Sequence, residues 1–270
     1  MGSIEKELSI IIVNYNGKHY LKDCIDSIIL HCSSVSYEII IIDNNSSDGS
    51  QEYLQTTYPE ITLISKTENV GFGKANNIGI QHSSGENILL LNNDTILLQN
   101  ISPIIEIVKR EDVGAVGVKM LNGKKEFTPS YGKFPTPLSL LKLSNLNETR
   151  SDFVTGDFKE KEYKVDWISG AFMMMKRQDW DFVGGFDEDF FMYVEDVDLC
   201  KRLKNHKKQI IFYSKYSYIH FVGFNSKREL KLINGYKLYS AKHFNFVNAI
   251  LAKTCLNINY AYKRAFKNIR

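Results

Sequence analysis

The chain has 270 residues, of which 43% are hydrophobic and 24% are charged, and its formal net charge at pH 7 is +3. These values are typical of a globular protein with a sizeable hydrophobic core, and they exclude a disordered chain. A charge so close to balance also argues against a surface built for nucleic acid, so we expect no nucleic-acid partner.

The first hundred residues alternate between apolar runs and helical patterns. Continuous apolar runs predict buried strands over residues 8–13, 38–42, 61–65 and 87–91. Apolar residues at helical spacing and polar start signals predict helices around residues 21–28, 51–57 and 73–81. This order predicts an α/β fold with a mostly parallel sheet, in which ligands bind outside the carboxyl ends of the strands.

The pattern is weaker in the second half of the chain. Residues 122–164 are rich in Pro, Ser, Asn and charged side chains, and we expect a mobile excursion that can act as a lid over the site. Order returns over residues 165–176. A helix is predicted from Glu195 to Leu203, and a strand is predicted over residues 210–213.

A candidate metal site follows the fourth predicted strand, where Asp94 stands in a polar turn. A carboxylate oxygen there suits Mg²⁺ or Mn²⁺ bound to a diphosphate, because these ions prefer oxygen ligands. His220, beyond the last predicted strand, is a candidate for a second ligand as a neutral imidazole. The alternatives are an ordinary Asx turn and a core or surface histidine.

A candidate nucleotide site lies at the ends of the first two strands. A carboxylate at Asp43 can accept a hydrogen bond from the ring N–H of uracil or thymine, while Asn14 and Tyr15 frame the base. In the next strand-to-helix turn, Gly71 allows close backbone approach and Lys74 can meet phosphate or ribose. The alternative is an Asx and Ser turn that caps the following helix.

Two adjacent carboxylates, Glu195 and Asp196, open a predicted helix. The structural explanation is that acidic residues favour the positive end of the helix dipole. The functional explanation is a general base, because displacement at an anomeric carbon requires removal of a proton from the acceptor hydroxyl. Asp196 is the candidate base, and Glu195 is a supporting neighbour.

With these motifs in view, the chain resembles the inverting family 2 glycosyltransferases of the GT-A fold, and within them the bacterial rhamnosyltransferase-like branch. The motifs occur in the family's order at residues 11–16, 43–50, 69–79, 91–95, 167–171, 185–188 and 195–199. The resemblance implies a nucleotide contact for Asn14, Asp43 and Asn45, metal binding by Asp94 and His220, and base catalysis by Asp196. The family's acidic-x-acidic metal motif has Asn92 in its first position here, which leaves Asp94 as the safer ligand.

The resemblance also implies roles for residues in the remaining motifs. We expect Asn77, Asn93, Trp167 and Gly170 to bind the sugar nucleotide, and Phe186 and Asp187 to face the acceptor. The implied GT-A fold has a Rossmann-like, mixed but mostly parallel sheet flanked by helices. Residues 1–223 would form the catalytic domain, with a nucleotide-binding half over 1–120 and an acceptor half over 121–223, and residues 224–270 would form a helical extension.

The prediction is therefore a metal-dependent inverting glycosyltransferase of cell-surface polysaccharide synthesis. The donor would be a dTDP- or UDP-linked sugar, with rhamnose as a guess from the branch, and the acceptor a glycan or a lipid-linked glycan. One alternative is a nucleotidyltransferase, although residues 14–18 match its glycine-rich basic loop poorly. The other is a non-catalytic sugar-nucleotide-binding protein, which the presence of Asp94 and Asp196 disfavours.

The cellular location is predicted from the cysteines and the carboxyl-terminal tail. The four cysteines form no CxxC pair, and residues 1–8 lack the layout of a secretory signal. No apolar run is as long as the about eighteen residues that a membrane-spanning helix needs. We therefore expect a cytoplasmic protein. Residues 227–270 mix Lys and Arg with Tyr, Phe, Leu and Ile, which is typical of peripheral contact with anionic lipids. A helix packed on the catalytic domain explains the same composition.

Overall fold

The computed structural model describes residues 6–221 and 228–267. The strands are β1 Leu8–Asn14, β2 Tyr37–Asp43, β3 Thr62–Ser65, β4 Asn87–Asn92, β5 Thr95–Leu97, β6 Val113–Leu121, β7 Phe127–Thr128, β8 Tyr131–Gly132, β9 Glu162–Val165, β10 Trp167–Ile168, β11 Phe172–Lys176 and β12 Gln209–His220. Ten of these strands form a mixed sheet in the order β3-β2-β1-β4-β11-β6-β12-β5, with β7 paired to β6 and β9 paired to β12. β8 pairs separately with β10.

Helices pack on the sheet, and two further helices follow the last strand. They are α1 Lys18–His31, α2 Ser50–Thr57, α3 Phe72–Gln81, α4 Ser102–Val108, α5 Ser151–Thr155, α6 Arg177–Val183, α7 Glu195–Asn205, α8 Arg228–His243 and α9 Phe246–Lys267, with 3₁₀ turns at Leu138–Leu141 and Leu143–Leu146. The predicted α/β class is confirmed.

Four parallel strands, β1 to β4, form the amino-terminal half of the sheet. Their Ile- and Leu-rich segments are almost fully buried in β1, β2 and β4, as expected for strands covered on both faces. β1 and β4 each extend one residue beyond the predicted run, to Asn14 and Asn92. In this register Asn14 pairs with Asp43, so the two polar strand ends lie side by side.

The two predicted halves of the catalytic domain share this one sheet. β11 lies between β4 and β6, antiparallel to both. β12 is much longer than the strand predicted over 210–213, because it runs parallel to β6 and then pairs antiparallel with β5. This extension carries His220 back to the turn after β4, opposite Thr95. The predicted boundary at residue 223 lies outside the described residues.

The predicted lid over residues 122–164 is instead anchored in the body of the protein. Tyr131 and Phe153 are buried, and their rings pack edge to face with centroids 4.6 Å apart. The two 3₁₀ turns bury Leu140 and Leu146 in the cluster that α8 and α9 also line. The sequence did not predict this packing, because the segment has few apolar residues and a few large aromatic side chains form its core.

The tail forms two helices that pack on the catalytic domain. Ile233, Tyr239 and Leu256 from these helices are buried against Val194 and Val197 of the α7 region. This confirms the predicted helical extension. Within the described residues, no helix is both long enough and apolar enough to cross a membrane.

Candidate active site

The cleft predicted to bind the nucleotide contains a network of polar side chains at the carboxyl ends of β1 and β2. Nδ2 of Asn14 donates to Oδ1 of Asp43 at 2.9 Å, and Nδ2 of Asn93 donates to Oδ1 of Asn14 at 2.7 Å. Oδ2 of Asp43 accepts hydrogen bonds from the backbone N–H of Ser46 at 2.9 Å and from Nε2 of Gln51 at 2.7 Å. Asn14 and Asp43 are completely buried, so their positions are fixed.

The edge of this cleft is more open. Tyr15 is 52% exposed, and Asn45 is exposed in a left-handed conformation with φ 68°. A Cβ at Gly17 would collide with Nδ2 of Asn93 and lie 2.9 Å from Oδ1 of Asn14. Gly17 is therefore required for the contact between the β1 and β4 turns. Sequence reasoning missed both Gly17 and Gln51, although the Asn-Gly dipeptide at residues 16–17 is a turn signal.

Asn44 organises the turn that leads into α3, and sequence reasoning missed it as well. This buried side chain accepts the backbone N–H of Val70 at 2.9 Å and donates to Oδ1 of Asn69 at 3.0 Å. Gly71 has φ 90°, and a Cβ there would overlap the carbonyl oxygen of Phe191. The glycine thus permits close approach of the loop before α7, in addition to any role at the nucleotide.

Two residues of α3 contact the loop at residues 184–191. The ammonium of Lys74 lies 3.3 Å from Oε2 of Glu188 in an exposed ion pair. Asn77 donates to the carbonyl of Phe186 at 2.9 Å and accepts its backbone N–H at 3.0 Å. Both side chains therefore hold this loop in the present structure. Their predicted contacts with the sugar nucleotide stay predictions.

The candidate metal ligands meet where β4, β5 and β12 converge. Nε2 of His220 lies 3.1 Å from Oδ1 of Asp94, and Nδ2 of Asn92 lies 3.2 Å from the same ring nitrogen. Both Asp94 and His220 are mostly buried but keep an accessible edge. A carboxylate oxygen, an imidazole nitrogen and an amide group suit Mg²⁺ or Mn²⁺. Among the described residues, no group of three His, Cys, Asp or Glu side chains is placed to hold a metal.

Asp196 lies at the start of α7, beside the turn before β11. The backbone N–H of Gly170 donates to Oδ2 of Asp196 at 3.2 Å, and the N–H of Val197 donates to Oδ1 at 2.9 Å. The next residue, Ala171, accepts the backbone N–H of Asn92 at 3.1 Å. Residues 170 and 171 therefore connect the candidate base directly to the candidate metal turn.

Glu195 is buried, and its Oε2 has no hydrogen-bond partner. Burial, followed by the negative charge of Asp196, raises the pKa of Glu195 to about 8. Burial also raises the pKa of Asp196, against the opposing effect of the Gly170 and Val197 N–H donors. Burial therefore favours the protonated form of both carboxyls, while the two N–H donors favour the charged form of Asp196.

The turn that presents these carboxylates has an unusual backbone. Tyr193 and Val194 have φ values of 72° and 76°, a conformation that β-branched residues rarely adopt. Val194 is buried against α8. The rest of the α7 region is held by Asp198, which contacts Nε2 of His243 at 2.6 Å and Nε of Arg202 at 2.8 Å. Sequence reasoning missed this network, because His243 is far from Asp198 and Arg202 in the chain.

The residues predicted to face the sugar and the acceptor differ in their burial and in their contacts. Nε1 of Trp167 donates to the carbonyl of Lys133 at 3.1 Å, which fixes the indole against Gly132. The ring of Phe186 is buried between Phe72 and Trp180, so it can affect an acceptor only by positioning its loop. Asp187 is partly exposed and forms a 2.8 Å ion pair with Lys242 of α8.

Comparison with known proteins agrees with this architecture. The sequence matches glycosyl transferase family 2 over residues 9–182, and residues 153–224 match the N-terminal domain of galactosyltransferase. The chain is 28% identical to rhamnosyltransferase WbbL of Escherichia coli K12, over 78% of this chain and 82% of WbbL. It is 27% identical to the N-acetylglucosaminyl-diphospho-decaprenol L-rhamnosyltransferase of Mycobacterium tuberculosis, over 73% of this chain and 70% of the relative.

Among solved structures, GalNAc-T7 with UDP, GalNAc and Mn²⁺ superposes with a TM-score of 0.68 at 14% identity. The match covers 96% of this chain but only 55% of GalNAc-T7. This likeness shows the GT-A fold, in agreement with the fold expected from the motifs.

Proposed function

The chain belongs to glycosyl transferase family 2, and we propose that it moves a sugar from a nucleoside diphosphate to an acceptor hydroxyl with inversion at the anomeric carbon. The observation that carries this proposal is the short connection between Asp196 and the Asp94 turn. Gly170 contacts Asp196, and its neighbour Ala171 contacts Asn92. A base and a diphosphate site are thus brought to the same edge of the sheet.

The Asp43 network supports binding of a uracil or thymine nucleotide. A carboxylate offers about four lone-pair positions, and three of those on Asp43 are used by Asn14, Ser46 and Gln51. The remaining position would accept the ring N–H of such a base, which requires the cleft to open at Asp43, because this side chain is completely buried here. Tyr15, exposed beside it, offers an aromatic face. We propose a dTDP- or UDP-linked donor on this basis.

The metal would be held by Asp94 and His220, with the Asn92 amide beside them. Because the protein supplies so few ligands, the remaining positions would be taken by diphosphate oxygens and water, which is the usual arrangement for Mg²⁺. When bound, the ion would neutralise the negative charge of the diphosphate. The Mn²⁺ in GalNAc-T7 supports a divalent ion here.

Asp196 would accept the proton of the acceptor hydroxyl. The N–H groups of Gly170 and Val197 orient its carboxylate. A proton retained on Glu195 would keep this side chain neutral, so that no second negative charge is buried beside Asp196. Asp196 would then carry the one negative charge of the pair. With one base and one leaving group, the reaction is a single displacement, and the configuration at the anomeric carbon inverts.

The relatives suggest the classes of donor sugar and acceptor. Two of them are rhamnosyltransferases by name, and one name specifies a diphospho-decaprenol acceptor. We therefore propose a deoxyhexose such as rhamnose as the donor sugar and a lipid-linked glycan as the acceptor. Residues 1–120 would supply the nucleotide side, and residues 121–223 would supply the acceptor side, with Asp187 at its edge.

The test is a screen of nucleotide sugars for release of nucleoside diphosphate, with Mn²⁺ or Mg²⁺ and lipid-linked glycan acceptors. The wild type and Asp196→Asn are compared, because the amide keeps the shape of the carboxylate but cannot accept the proton. We expect the variant to bind the donor nucleotide in calorimetry with unchanged affinity and to lose turnover. Full turnover by the variant would reject the assigned base.

A further inference from the structure

The outward side of α9 carries exposed apolar side chains. Phe246 is 79% exposed and Val247 71%, and the face also includes Ile250, Leu251 and Ile258. Their spacing follows the helix repeat, while Ala252, Cys255 and Leu256 point the other way into the domain. Contiguous exposed apolar surface of this kind marks an interaction site.

A neighbouring 3₁₀ turn extends the same surface. Nδ2 of Asn259 donates to the carbonyl of Leu141 at 2.7 Å, which ties the turn Leu138–Leu141 to α9. Leu138 is 63% exposed and Leu141 is 41% exposed. Two elements from distant parts of the sequence therefore present apolar side chains together. We call this set, formed by the exposed apolar residues of α9 and of the turn, the α9 face.

The charged residues after Glu229 are of one sign, although Lys263 of α9 pairs with Glu229 itself at 2.8 Å. No Asp or Glu follows Glu229 in the sequence, whereas the same stretch contains eight Lys or Arg residues. Lys253 and Arg264 are exposed and eleven residues apart, about three helical turns, so they line one margin of the face. An apolar face with a cationic margin is complementary to an anionic lipid surface.

We propose that the α9 face docks on an anionic bilayer and lies in its headgroup layer. The aliphatic and aromatic side chains would enter the headgroup and acyl boundary, while Lys253 and Arg264 would meet lipid phosphates. A second copy of the chain fits less well, because two copies meeting through this face would bring their cations together. The inference rests on the proposed function only in that a lipid-linked acceptor is presented at such a surface.

The experiment is sedimentation of the full chain with vesicles of phosphatidylcholine alone or mixed with phosphatidylglycerol, at low and high salt. The wild type should bind the anionic vesicles, and salt should weaken the binding. Ile250→Glu should bind about tenfold more weakly or worse, because an exposed apolar side chain that would enter the bilayer is replaced by a charge. Lys253→Glu should lose most of its preference for anionic vesicles.

Phe182→Glu is the matched control, since Phe182 is 64% exposed on α6 and lies outside the α9 face. It should bind vesicles as the wild type does, and melting curves should show that all variants are folded. Wild type that ignores anionic vesicles, or Ile250→Glu that binds them normally, would overturn the proposal. A wild-type dimer that Ile250→Glu converts to a monomer would also overturn it, in favour of a second copy. No donor is present, so failure here leaves the transferase proposal intact.

Discussion

Oδ1 of Asp94 and Nε2 of His220 lie 3.1 Å apart, because the end of β12 pairs with β5, which begins directly after Asp94. An acid and an imidazole that are far apart in the chain thus lie together at the sheet edge. Their separation suits two ligands of one metal ion. The proposed metal dependence rests on this pair.

Asp94→Ala should lower transfer by about 100-fold or more, since a bound metal contributes several kcal/mol of charge stabilisation at the leaving group. Melting should change little, because the side chain keeps an accessible edge. The rate is measured by nucleoside diphosphate release with Mn²⁺ present. Asp23→Ala, at an exposed acid of α1, is the control for loss of one charge. A folded Asp94→Ala variant that is fully active in metal-free buffer would show the assignment to be wrong.

Asn92→Asp should increase the affinity for Mn²⁺ by about tenfold, because a second carboxylate strengthens a hard-cation site. The variant should melt at a lower temperature without metal, since its new charge lies close to Asp94, and Mn²⁺ should restore the melting temperature. Calorimetry and melting curves with added Mn²⁺ measure both effects. An unchanged metal affinity would mean that Asn92 lies outside the coordination shell.

The sequence alone predicts the strand ends well and the connections between them poorly. Asn14, Asp43 and Asp94 are recognisable because each follows a buried apolar run, and parallel strands bring such ends to one edge. Gln51 and Asn44 are not recognisable, since their importance comes from hydrogen bonds to Asp43 and Val70 that depend on how the turns fold.

The segment before α7 shows a second limit of sequence reasoning. No local preference predicts left-handed Tyr193 and Val194, because a β-branched residue disfavours that conformation. The surrounding tertiary structure imposes it, and α8, distant in sequence from the strands of the cleft, packs against it. The same dependence on tertiary contacts explains why residues 122–164 resembled a lid.

Gly235→Ala should be destabilising and should lower kcat more than it affects donor KM. A Cβ at Gly235 would lie 2.7 Å from Cγ2 of Val194 and 2.8 Å from the carbonyl oxygen of Tyr193. The methyl group would therefore push on the turn that positions Glu195 and Asp196, with an overpacking cost of about 1–3 kcal/mol.

The expected loss of stability is opposite to the usual effect, because Gly→Ala inside a helix ordinarily stabilises a protein by about 1 kcal/mol. Asn234→Ala, at the exposed neighbouring position of α8, is the control. Steady-state kinetics and denaturant unfolding measure the two consequences. A Gly235→Ala variant that is more stable than the wild type and equally active would refute the positioning role of this contact.

Glu195 should make stability depend on pH. Its pKa is raised from 4.5 to about 8 in the folded protein, mainly by burial. Between these two values the folded state holds a proton that the unfolded state has released, so the free energy of unfolding falls as pH rises through this window. The contribution is constant below about pH 4.5 and again above about pH 8.

Glu195→Gln removes this titration. The melting temperature of the wild type should therefore fall more than that of the variant between about pH 5 and about pH 8, a range set by the two pKa values. Glu68→Gln removes a carboxyl from an exposed position and serves as the control. Parallel melting curves for the wild type and Glu195→Gln across this range would mean that Glu195 is not protonated in the folded protein.

The proposed reaction is a single displacement in which Asp196 takes the proton of the acceptor hydroxyl. The anomeric configuration of the glycoside, determined by NMR on the first product formed from a donor of known configuration, tests it most directly. A single displacement inverts the configuration, because one base and one leaving group permit only one attack at the anomeric carbon. Retention would require a covalent or internal-return intermediate, and a product with retained configuration would contradict the mechanism.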